Sequence, residues 1–520
     1  MKESTAGLKV MMIHAVIIMI GYVSIRYSLS LFLTTNHISV TKSFDITASA
    51  FAIQVLCGFF WSLILRESKA TDHYRFVLVG GIMALVGTVF ICAFYRSELA
   101  LFFGISLYVV GISLYLINFQ SLCNAYLVDQ ETRTRFNQQV FLCYNFGGFF
   151  GLIFSSWAIS ELSKYTASLP LQYAILYVTS SFFIIISLQI LKNKKSLLQT
   201  EEALLSGKSI QAVRDDMRAF RLQSANATTQ DGKRRIIKSF FTSSLVQASI
   251  GMTIGTFILL SHTLIAKILI LSAFIFFFSV EIFKLRTKSA HILQIIMASS
   301  ANIGYRISFV IIYITLNIFI QNHGLDKSTM PHLTYLFFYA FDPIANILMG
   351  TLVLRYLKKH LSTHAYLYLG TLVMGLSFLL PWLGQVWAHS TDSVPAISLI
   401  FAVVLFGVGE FLISPALSSQ MIDLAEKPIE IRYYAGLTQL CAAAGIIIGY
   451  FIVYAMLNRD ALSVYALVHT HRLLNEVKLC NVQGMILISA GALIVVFSLI
   501  IKHLKKADLS NQQKNEVGYV

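Results

Sequence analysis

Residues 394–421 read VPAISLIFAVVLFGVGEFLISPALSSQM, a run in which Glu410 is the only charged residue. A helix rises about 1.5 Å per residue, so this run is long enough to cross a hydrocarbon layer about 30 Å thick. A carboxylate at that depth costs about 3 kcal/mol on insertion scales. Because of this cost, a charge kept there indicates a proton, an ion, a substrate or a buried partner.

Apolar runs of similar length recur throughout the chain. Its 520 residues are 56% hydrophobic and only 12% charged, a composition that excludes a soluble globular domain. Backbone groups inside lipid must be hydrogen-bonded within the chain, so these runs should be α-helices. We predict an all-α membrane protein with 14 transmembrane helices, spanning residues 9–34, 46–66, 74–95, 99–127, 136–160, 170–191, 238–260, 264–284, 292–320, 331–356, 363–387, 394–421, 433–456 and 482–502.

The distribution of positive charge along the chain indicates its topology in the membrane. The formal net charge is +15, which could suggest nucleic acid as a partner. Most of the lysines and arginines, however, fall in alternate loops, which places both termini in the cytoplasm by the positive-inside rule. The first span lacks a small-residue cleavage site and is expected to be retained. The predicted location is a bacterial inner membrane, with the lipid bilayer and no nucleic acid as a partner.

The predicted spans divide the chain into four parts. Residues 1–191 form an N-terminal six-helix bundle, and residues 192–237 form a polar cytoplasmic linker, where a transporter built from two halves needs one. Residues 238–290 form an inserted transmembrane hairpin. Residues 291–520 form a C-terminal six-helix bundle and a cytoplasmic tail. Two six-helix bundles with an inserted hairpin constitute a major facilitator fold, and we expect the protein to be a monomer.

Four charged residues lie well inside predicted spans: Arg26, Arg306, Asp342 and Glu410. The free-energy cost of a charged side chain that faces lipid is prohibitive, so we expect these four residues to line a shared cavity. Three readings are open. They form two buried ion pairs, they line a substrate cavity whose carboxylates exchange protons or bind a cation, or they form a proton relay. In one version Arg306 lies near Glu410 and is released when Glu410 takes up a proton.

The sequence gives no sign of an enzyme. No Ser-His-Asp pattern or phosphate-binding loop stands out, and the 13 histidines are dispersed. The 6 cysteines are scattered, with no spacing typical of metal ligands. We therefore expect no catalytic residues, no metal and no cofactor.

Three motifs resemble those of proton-coupled oligopeptide transporters, the POT or PTR family of the major facilitator superfamily. The run Gly409–Pro415, GEFLISP, resembles the family's Gly-Glu-Leu-x-x-Ser-Pro element. The run Phe136–Gly148 resembles its fifth-helix pattern Phe-x-x-Phe-Tyr-x-x-Ile-Asn-x-Gly, and Phe341–Pro343 resembles its Leu-Asn-Pro. The resemblance implies alternating access by two rocking bundles, with proton-coupled uptake of small peptides or related amine-bearing solutes.

The first helix departs from the family pattern Glu-x-x-Glu-Arg-Phe-x-Tyr-Tyr. The aligned residues 22–30 read YVSIRYSLS. Arg26 matches the arginine of the pattern, but other residues stand at the positions of its two glutamates and its two final tyrosines. The family's fourth-helix lysine aligns with Leu116, and its later first-helix arginine aligns near Leu33. The charge network is thus missing as a set, which avoids stranding one buried charge without its partner.

The resemblance assigns the substrate-binding residues. The family holds the peptide amino group with residues that match Asn145, Asp342 and Glu410, and only Arg26 remains at the pole for the peptide carboxylate. This predicts a substrate with an amine and a weak or absent carboxylate, and proton coupling through Glu410, Asp342 and Arg306. A proton-driven efflux antiporter of cationic compounds and a non-transporting sensor on the same fold are the alternatives.

Overall fold

A computed structural model describes residues 4–36, 38, 40–65, 73–125, 130–193, 244–284, 289–322, 331–352, 363–387, 396–422, 424, 430–458, 499 and 503. Nearly all of these residues are helical, and they contain no strand. The helices within them are α1 (Ser4–Thr35), α2 (Val40–Ile64), α3 (His73–Ala93), α4 (Glu98–Ala125), α5 (Gln130–Leu162), α6 (Leu169–Asn193), α7 (Ser244–Ser261), α8 (Thr263–Lys284), α9 (Ser289–Asn322), α10 (Pro331–Leu352), α11 (Thr363–Trp387), α12 (Ala396–Ile422) and α13 (Ile431–Asn458).

Many of these helices are suited to a bilayer. Within the described ranges, 10 helices are long and apolar enough to cross a membrane, namely α1 to α6, α8, α9, α12 and α13. The protein is therefore an integral membrane protein, and the predicted all-α class is confirmed. Each of the first thirteen predicted spans falls on a helix. The fourteenth, 482–502, lies outside the described residues except for Leu499, so the count of 14 stays a prediction.

The chain packs into two compact units. The first unit contains α1 to α4, α6, α7 and the start of α13 as far as Gly436. The second contains α5, α8 from Lys267, α9 to α12, and α13 from Leu437. The predicted division at residues 191, 237 and 290 follows chain order, whereas this grouping follows packing. Helix α5 groups with the later helices because it packs along α10 and α12.

Glycines allow α3 and α4 to pack closely in the first unit. A Cβ atom at Gly80 would lie 2.7 Å from the carbonyl oxygen of Gly111, and one at Gly87 would lie 2.8 Å from that of Gly104. The two glycines on each helix are seven residues apart and so share one face. Small residues at such a crossing permit backbone approach in the membrane, where dispersion and interhelical hydrogen bonds replace the hydrophobic effect.

In the second unit, α12 has close neighbours on two sides. A Cβ atom at Gly370 of α11 would lie 2.9 Å from the carbonyl oxygen of Gly409, and the converse distance is also 2.9 Å. Gly350 of α10 faces another part of α12. A Cβ atom at Gly350 would lie 2.7 Å from the ring of Phe411 on α12 and 2.9 Å from the side chain of Leu142 on α5. This packing fixes the position of Glu410, which lies between Gly409 and Phe411 in sequence.

Candidate substrate and coupling site

Two buried carboxylates come together in the second unit. Asp342 on α10 and Glu410 on α12 are each 6% exposed. Asn346 follows Asp342 by one helical turn and is fully buried. Its Nδ2 donates to Oδ1 of Asp342 at 3.0 Å and to Oε2 of Glu410 at 3.1 Å. One amide therefore joins both acids, and we call Asp342, Asn346 and Glu410 the carboxylate cluster.

Helix α9 supplies one hydroxyl group to each acid. Tyr305 donates to Oε1 of Glu410, and Tyr313 donates to Oδ2 of Asp342 at 2.8 Å. The two tyrosines are eight residues apart and so lie near one face of the helix. Between them Phe309 packs on Tyr313 with ring centroids 4.5 Å apart. The donors to the two acids are thus held by packing before any ligand binds.

Gly407 determines how closely α12 approaches Asp342. A Cβ atom at this position would lie 2.8 Å from Oδ1 of Asp342 and 2.9 Å from its carbonyl oxygen. Real Cβ atoms essentially never come this close to such atoms. Since Gly407 precedes Glu410 by about one turn on α12, its missing side chain allows the two acids to share one amide.

The carboxylate cluster has only neutral donors among the described residues. The ion pairs found there involve other acids, and no group of three or more His, Cys, Asp and Glu side chains there is arranged to hold a metal ion. Two like charges in a region of low dielectric repel strongly unless a positive charge is shared between them. The cluster is therefore suited to binding cations, such as a proton and an ammonium group.

Arg306 contacts the ring of Tyr305 and forms no ion pair with either acid. Its guanidinium carbon lies 4.4 Å from the centroid of the Tyr305 ring and 5.9 Å from that of Phe309. Its Nε is buried without a hydrogen bond to any described group. The direct tie between Arg306 and Glu410 considered from the sequence is not present, and the two oxygens of Glu410 accept from Tyr305 and Asn346 instead.

Asn145 lies near these helices and does not bond to the acids. It is half-buried on α5, which packs against α10 and α12. Its Nδ2 donates to the carbonyl oxygen of Phe141 in its own helix at 2.9 Å. Within the described part of the chain, no hydrogen bond joins it to Asp342 or Glu410. Asn145 therefore belongs to the same unit as the carboxylate cluster without being one of its members.

Arg26 belongs to the first unit, where aromatic rings surround it. Its guanidinium carbon lies 3.7 Å from the centroid of the Phe51 ring, a typical cation–π distance. Its Nη1 donates to the hydroxyl of Tyr22 at 3.3 Å, and that hydroxyl donates to Oε1 of Gln54 at 3.1 Å. These contacts fix the guanidinium of Arg26 on α1 and α2.

Three residues that complete the site were missed in the sequence. Tyr305 and Tyr313 were missed because an aromatic residue in an apolar helix is common and usually packs in the core. Asn346 was missed because a single buried amide has no motif of its own. The signals that could have found them are the Tyr-x₃-Phe-x₃-Tyr spacing on α9 and the position of Asn346 four residues after Asp342.

Comparison with known proteins gives a clear result only at the level of structure. No protein-family model matches the sequence, and no curated protein matches it. Solved structures match its fold over almost their whole length. One, from a study of substrate recognition in proton dependent oligopeptide transporters, is 12% identical with a TM-score of 0.68, covering 98% of this chain and 99% of that one. The chain has the fold of these peptide transporters.

Two further peptide-transporter structures agree. A bacterial homologue of the human drug peptide transporters PepT1 and PepT2 is 13% identical with a TM-score of 0.67, covering 97% of this chain and 98% of that one. A POT family transporter in complex with 5-aminolevulinic acid is 17% identical with a TM-score of 0.60, covering 97% and 96%. The peptide-transporter fold was predicted from the motifs at Gly409–Pro415 and Phe136–Gly148 and is confirmed. The proteins that share it here are transporters and not enzymes.

Proposed function

We propose that this protein is a secondary transporter that takes up small peptides or related amine-bearing solutes together with protons. The observation that carries the proposal is the carboxylate cluster, in which Asp342 and Glu410 share one amide and have no cationic partner among the described residues. A substrate ammonium group and a proton supply the missing positive charge. A second support is the likeness in fold to transporters of peptides and, in one case, a transporter bound to 5-aminolevulinic acid, a small amine-bearing acid.

We propose the following roles for the residues. The two acids bind the ammonium group and the proton, one on each carboxyl group, so that the cluster as a whole is close to neutral. Arg306 belongs to the coupling group through Tyr305, since its charge lies on the ring whose hydroxyl donates to Glu410. Asn145 completes the amine-binding side in the proposal. The resemblance assigns Arg26 to the substrate carboxylate, and that role stays a prediction.

Coupling requires that the affinity of the cluster for a proton changes during the transport cycle. In alternating access, the site is opened to each side of the membrane in turn. A change in hydration, or in the contact between Tyr305 and Glu410, would alter the proton affinity of the acids. We propose that this change in proton affinity couples proton entry to solute entry. The proposed protein is a monomer in a bacterial inner membrane, with both termini in the cytoplasm.

Uptake into liposomes tests the proposal. Full-length protein is reconstituted, an inward proton gradient is imposed, and accumulation of labelled dialanine, 5-aminolevulinic acid and putrescine is measured. We expect at least one amine-bearing probe to accumulate and a protonophore to abolish the accumulation. If the probes bind but none accumulates, the protein is a sensor and not a transporter.

Proton-driven export of cationic compounds is the second candidate. The two acids, without an ion-pair partner in the described residues, suit a cationic drug as well as a peptide amine. Reversing the gradient separates the two functions, because an antiporter accumulates the cation when protons flow out of the liposome. An importer accumulates its solute only when protons flow in.

A further inference from the structure

We propose that Arg306 binds the carboxylate of the transported solute, and that its distance from the carboxylate cluster selects a free α-amino acid over a longer peptide. This inference rests on the proposed function, because it takes the cluster as the site of the ammonium group. It places both ends of the solute on side chains of the second unit. It also predicts a shorter solute than the peptides carried by the proteins that share the fold.

Arg306 is available to an anion. It is half-buried within a membrane-spanning helix and has no hydrogen bond or ion pair to a described residue. Its described partners are the faces of two aromatic rings. A guanidinium group at membrane depth is costly, and a carboxylate is the group that its fork of donors matches best, through two parallel hydrogen bonds. The position of Arg306 is therefore suited to a solute carboxylate.

The stem of Arg306 is fixed by close helix packing. A Cβ atom at Gly445 of α13 would lie 2.7 Å from Cβ of Arg306 and 2.8 Å from the carbonyl oxygen of Ile303. The absence of a side chain at Gly445 lets α13 pack directly against this turn of α9. The start of the Arg306 side chain is thus held by two helices, and its charged end rests on the Tyr305 ring.

Tyr305 acts as a spacer between the two charged groups. Its ring carries the Arg306 guanidinium at 4.4 Å, and its hydroxyl donates to Glu410. The ring centre and hydroxyl oxygen are about 3 Å apart, and a hydrogen bond spans about 2.7 Å. Taken end to end with the 4.4 Å contact, these lengths place the guanidinium carbon no more than about 10 Å from the carboxylate of Glu410.

This upper limit on the distance admits an α-amino acid. The ammonium nitrogen and the carboxylate carbon of an α-amino acid are two bonds apart, or about 2.5 Å. Adding a charged hydrogen bond of about 2.8 Å at one end and about 4 Å between carboxylate and guanidinium carbons at the other gives about 9 Å. An extended dipeptide is longer by about 3.6 Å and exceeds this upper limit. The site therefore favours the shorter solute.

The test compares matched ligands on purified full-length protein and on Arg306→Gln. The probes are L-leucine, isoamylamine, which is leucine without its carboxylate, L-leucinamide, which keeps the amine but has no negative charge, and leucyl-leucine. The same four-member set built on phenylalanine guards against an unsuited side chain. Binding is measured by calorimetry and by thermal stabilisation, since a ligand of the folded state raises apparent stability.

For the unaltered protein we expect the free amino acid to bind at least tenfold more tightly than its amine, its amide or the dipeptide. In Arg306→Gln we expect the amino acid to fall to the level of the amine, with the amine unchanged. Arg306→Lys should recover part of the difference, since it keeps the charge and loses the two-pronged geometry. If Arg306→Gln does not fold, Arg306→Lys provides the binding measurement in its place.

The possible failures are distinct. If neither amino acids, amides, amines nor dipeptides bind, the proposed function fails. If amines and amino acids bind equally and Arg306→Gln weakens neither, Arg306 is an aromatic-packed structural residue and the inference is wrong while the proposed function stands. If the dipeptide binds more tightly than the amino acid, the size selection is wrong.

Discussion

His14 in the first unit and Glu410 in the second are both ionisable side chains buried in apolar helices, but their surroundings differ. Nδ1 of His14 donates to the carbonyl oxygen of Ser187 at 2.9 Å, and its Nε2 accepts from the hydroxyl of Tyr115. Both ring nitrogens are thus bonded in a neutral ring. Glu410 and Asp342 have only neutral donors among the described residues. The hydrogen bonds of His14 are all satisfied within the protein and hold helices together. The pair of Asp342 and Glu410 lacks a cation and can therefore bind a ligand.

The difference follows from what each cluster would gain by binding something. The bonds of His14 join α1, α4 and α6 in the first unit, and a further proton would place an uncompensated charge in a buried site. The carboxylate cluster gains a compensating charge when a cation binds. We therefore expect substitutions at His14 to reduce stability and substitutions at the cluster to reduce transport.

Removing His14 should have the largest effect. In His14→Ala, the Tyr115 hydroxyl and the Ser187 carbonyl lose a partner in a buried site and a cavity forms. We expect a loss of about 3 kcal/mol in stability. Thermal unfolding of purified protein measures it, with exposed His262→Ala as the matched control. An unchanged unfolding temperature together with lost transport would instead assign His14 to the transport mechanism.

Neutralising Glu410 should abolish coupled uptake while leaving the fold intact. Glu410→Gln keeps the shape of the side chain and one acceptor oxygen for Tyr305, but it cannot carry the charge. We expect gradient-driven uptake to fall about 100-fold, which corresponds to about 2.7 kcal/mol. The matched control is Glu281→Gln, a buried acid of α8 that pairs with Lys284 at 2.7 Å. Full gradient-driven uptake by Glu410→Gln would remove this residue from the coupling site.

Neutralising Asp342 should change selectivity more than stability. Asp342→Asn removes one of the two charges and retains an acceptor for Tyr313. We expect affinity for cationic probes to fall about tenfold, or about 1.4 kcal/mol, with little change for neutral solutes. Competition binding with an amine and a neutral amide measures the difference. Equal loss for both kinds of probe would indicate a structural role.

Adding a methyl group at Gly407 should separate the two acids. The new carbon would lie 2.8 Å from Oδ1 of Asp342, so α10 and α12 must move apart. We expect affinity for amine probes to fall about fivefold, close to 1 kcal/mol. Gly251→Ala makes the same change where nothing lies within 4 Å of the added carbon. If the two variants behave alike, the spacing at Gly407 does not matter for binding.

Removing one tyrosine hydroxyl should have the smallest effect. Tyr305→Phe keeps the ring under Arg306 and loses only the bond to Glu410. A hydrogen bond to a charged group contributes about 1.5 kcal/mol or somewhat more, part of which water recovers in an open site. We expect a threefold loss in amine affinity, with the preference for a carboxylate-bearing probe retained. Loss of that preference would show that the hydroxyl, and not the ring, positions Arg306.

The sequence alone predicted part of the site. Glu410 and Asp342 could be found because a charged residue inside a long apolar run stands out in the sequence. Their proximity was expected, because a charge that faces lipid is costly. The amide that joins them could not be predicted, since it depends on Asn346 and on the crossing allowed by Gly407. The role considered for Arg306, a direct tie to Glu410, was replaced by a contact through Tyr305. Asn145 and Arg26 lie in helices as expected, and their part in binding stays a proposal.

What the sequence determined by itself is the helical, membrane-spanning character of the chain and the positions of its helices. These are local properties, because each backbone group in lipid must bond within its own helix and each apolar run carries its own free energy of insertion. What only the tertiary structure decided is which side chains meet. The grouping of α5 with α10 and α12, and the convergence of Tyr305, Tyr313 and Asn346 on two acids, depend on helix crossings set by small residues far apart in the chain.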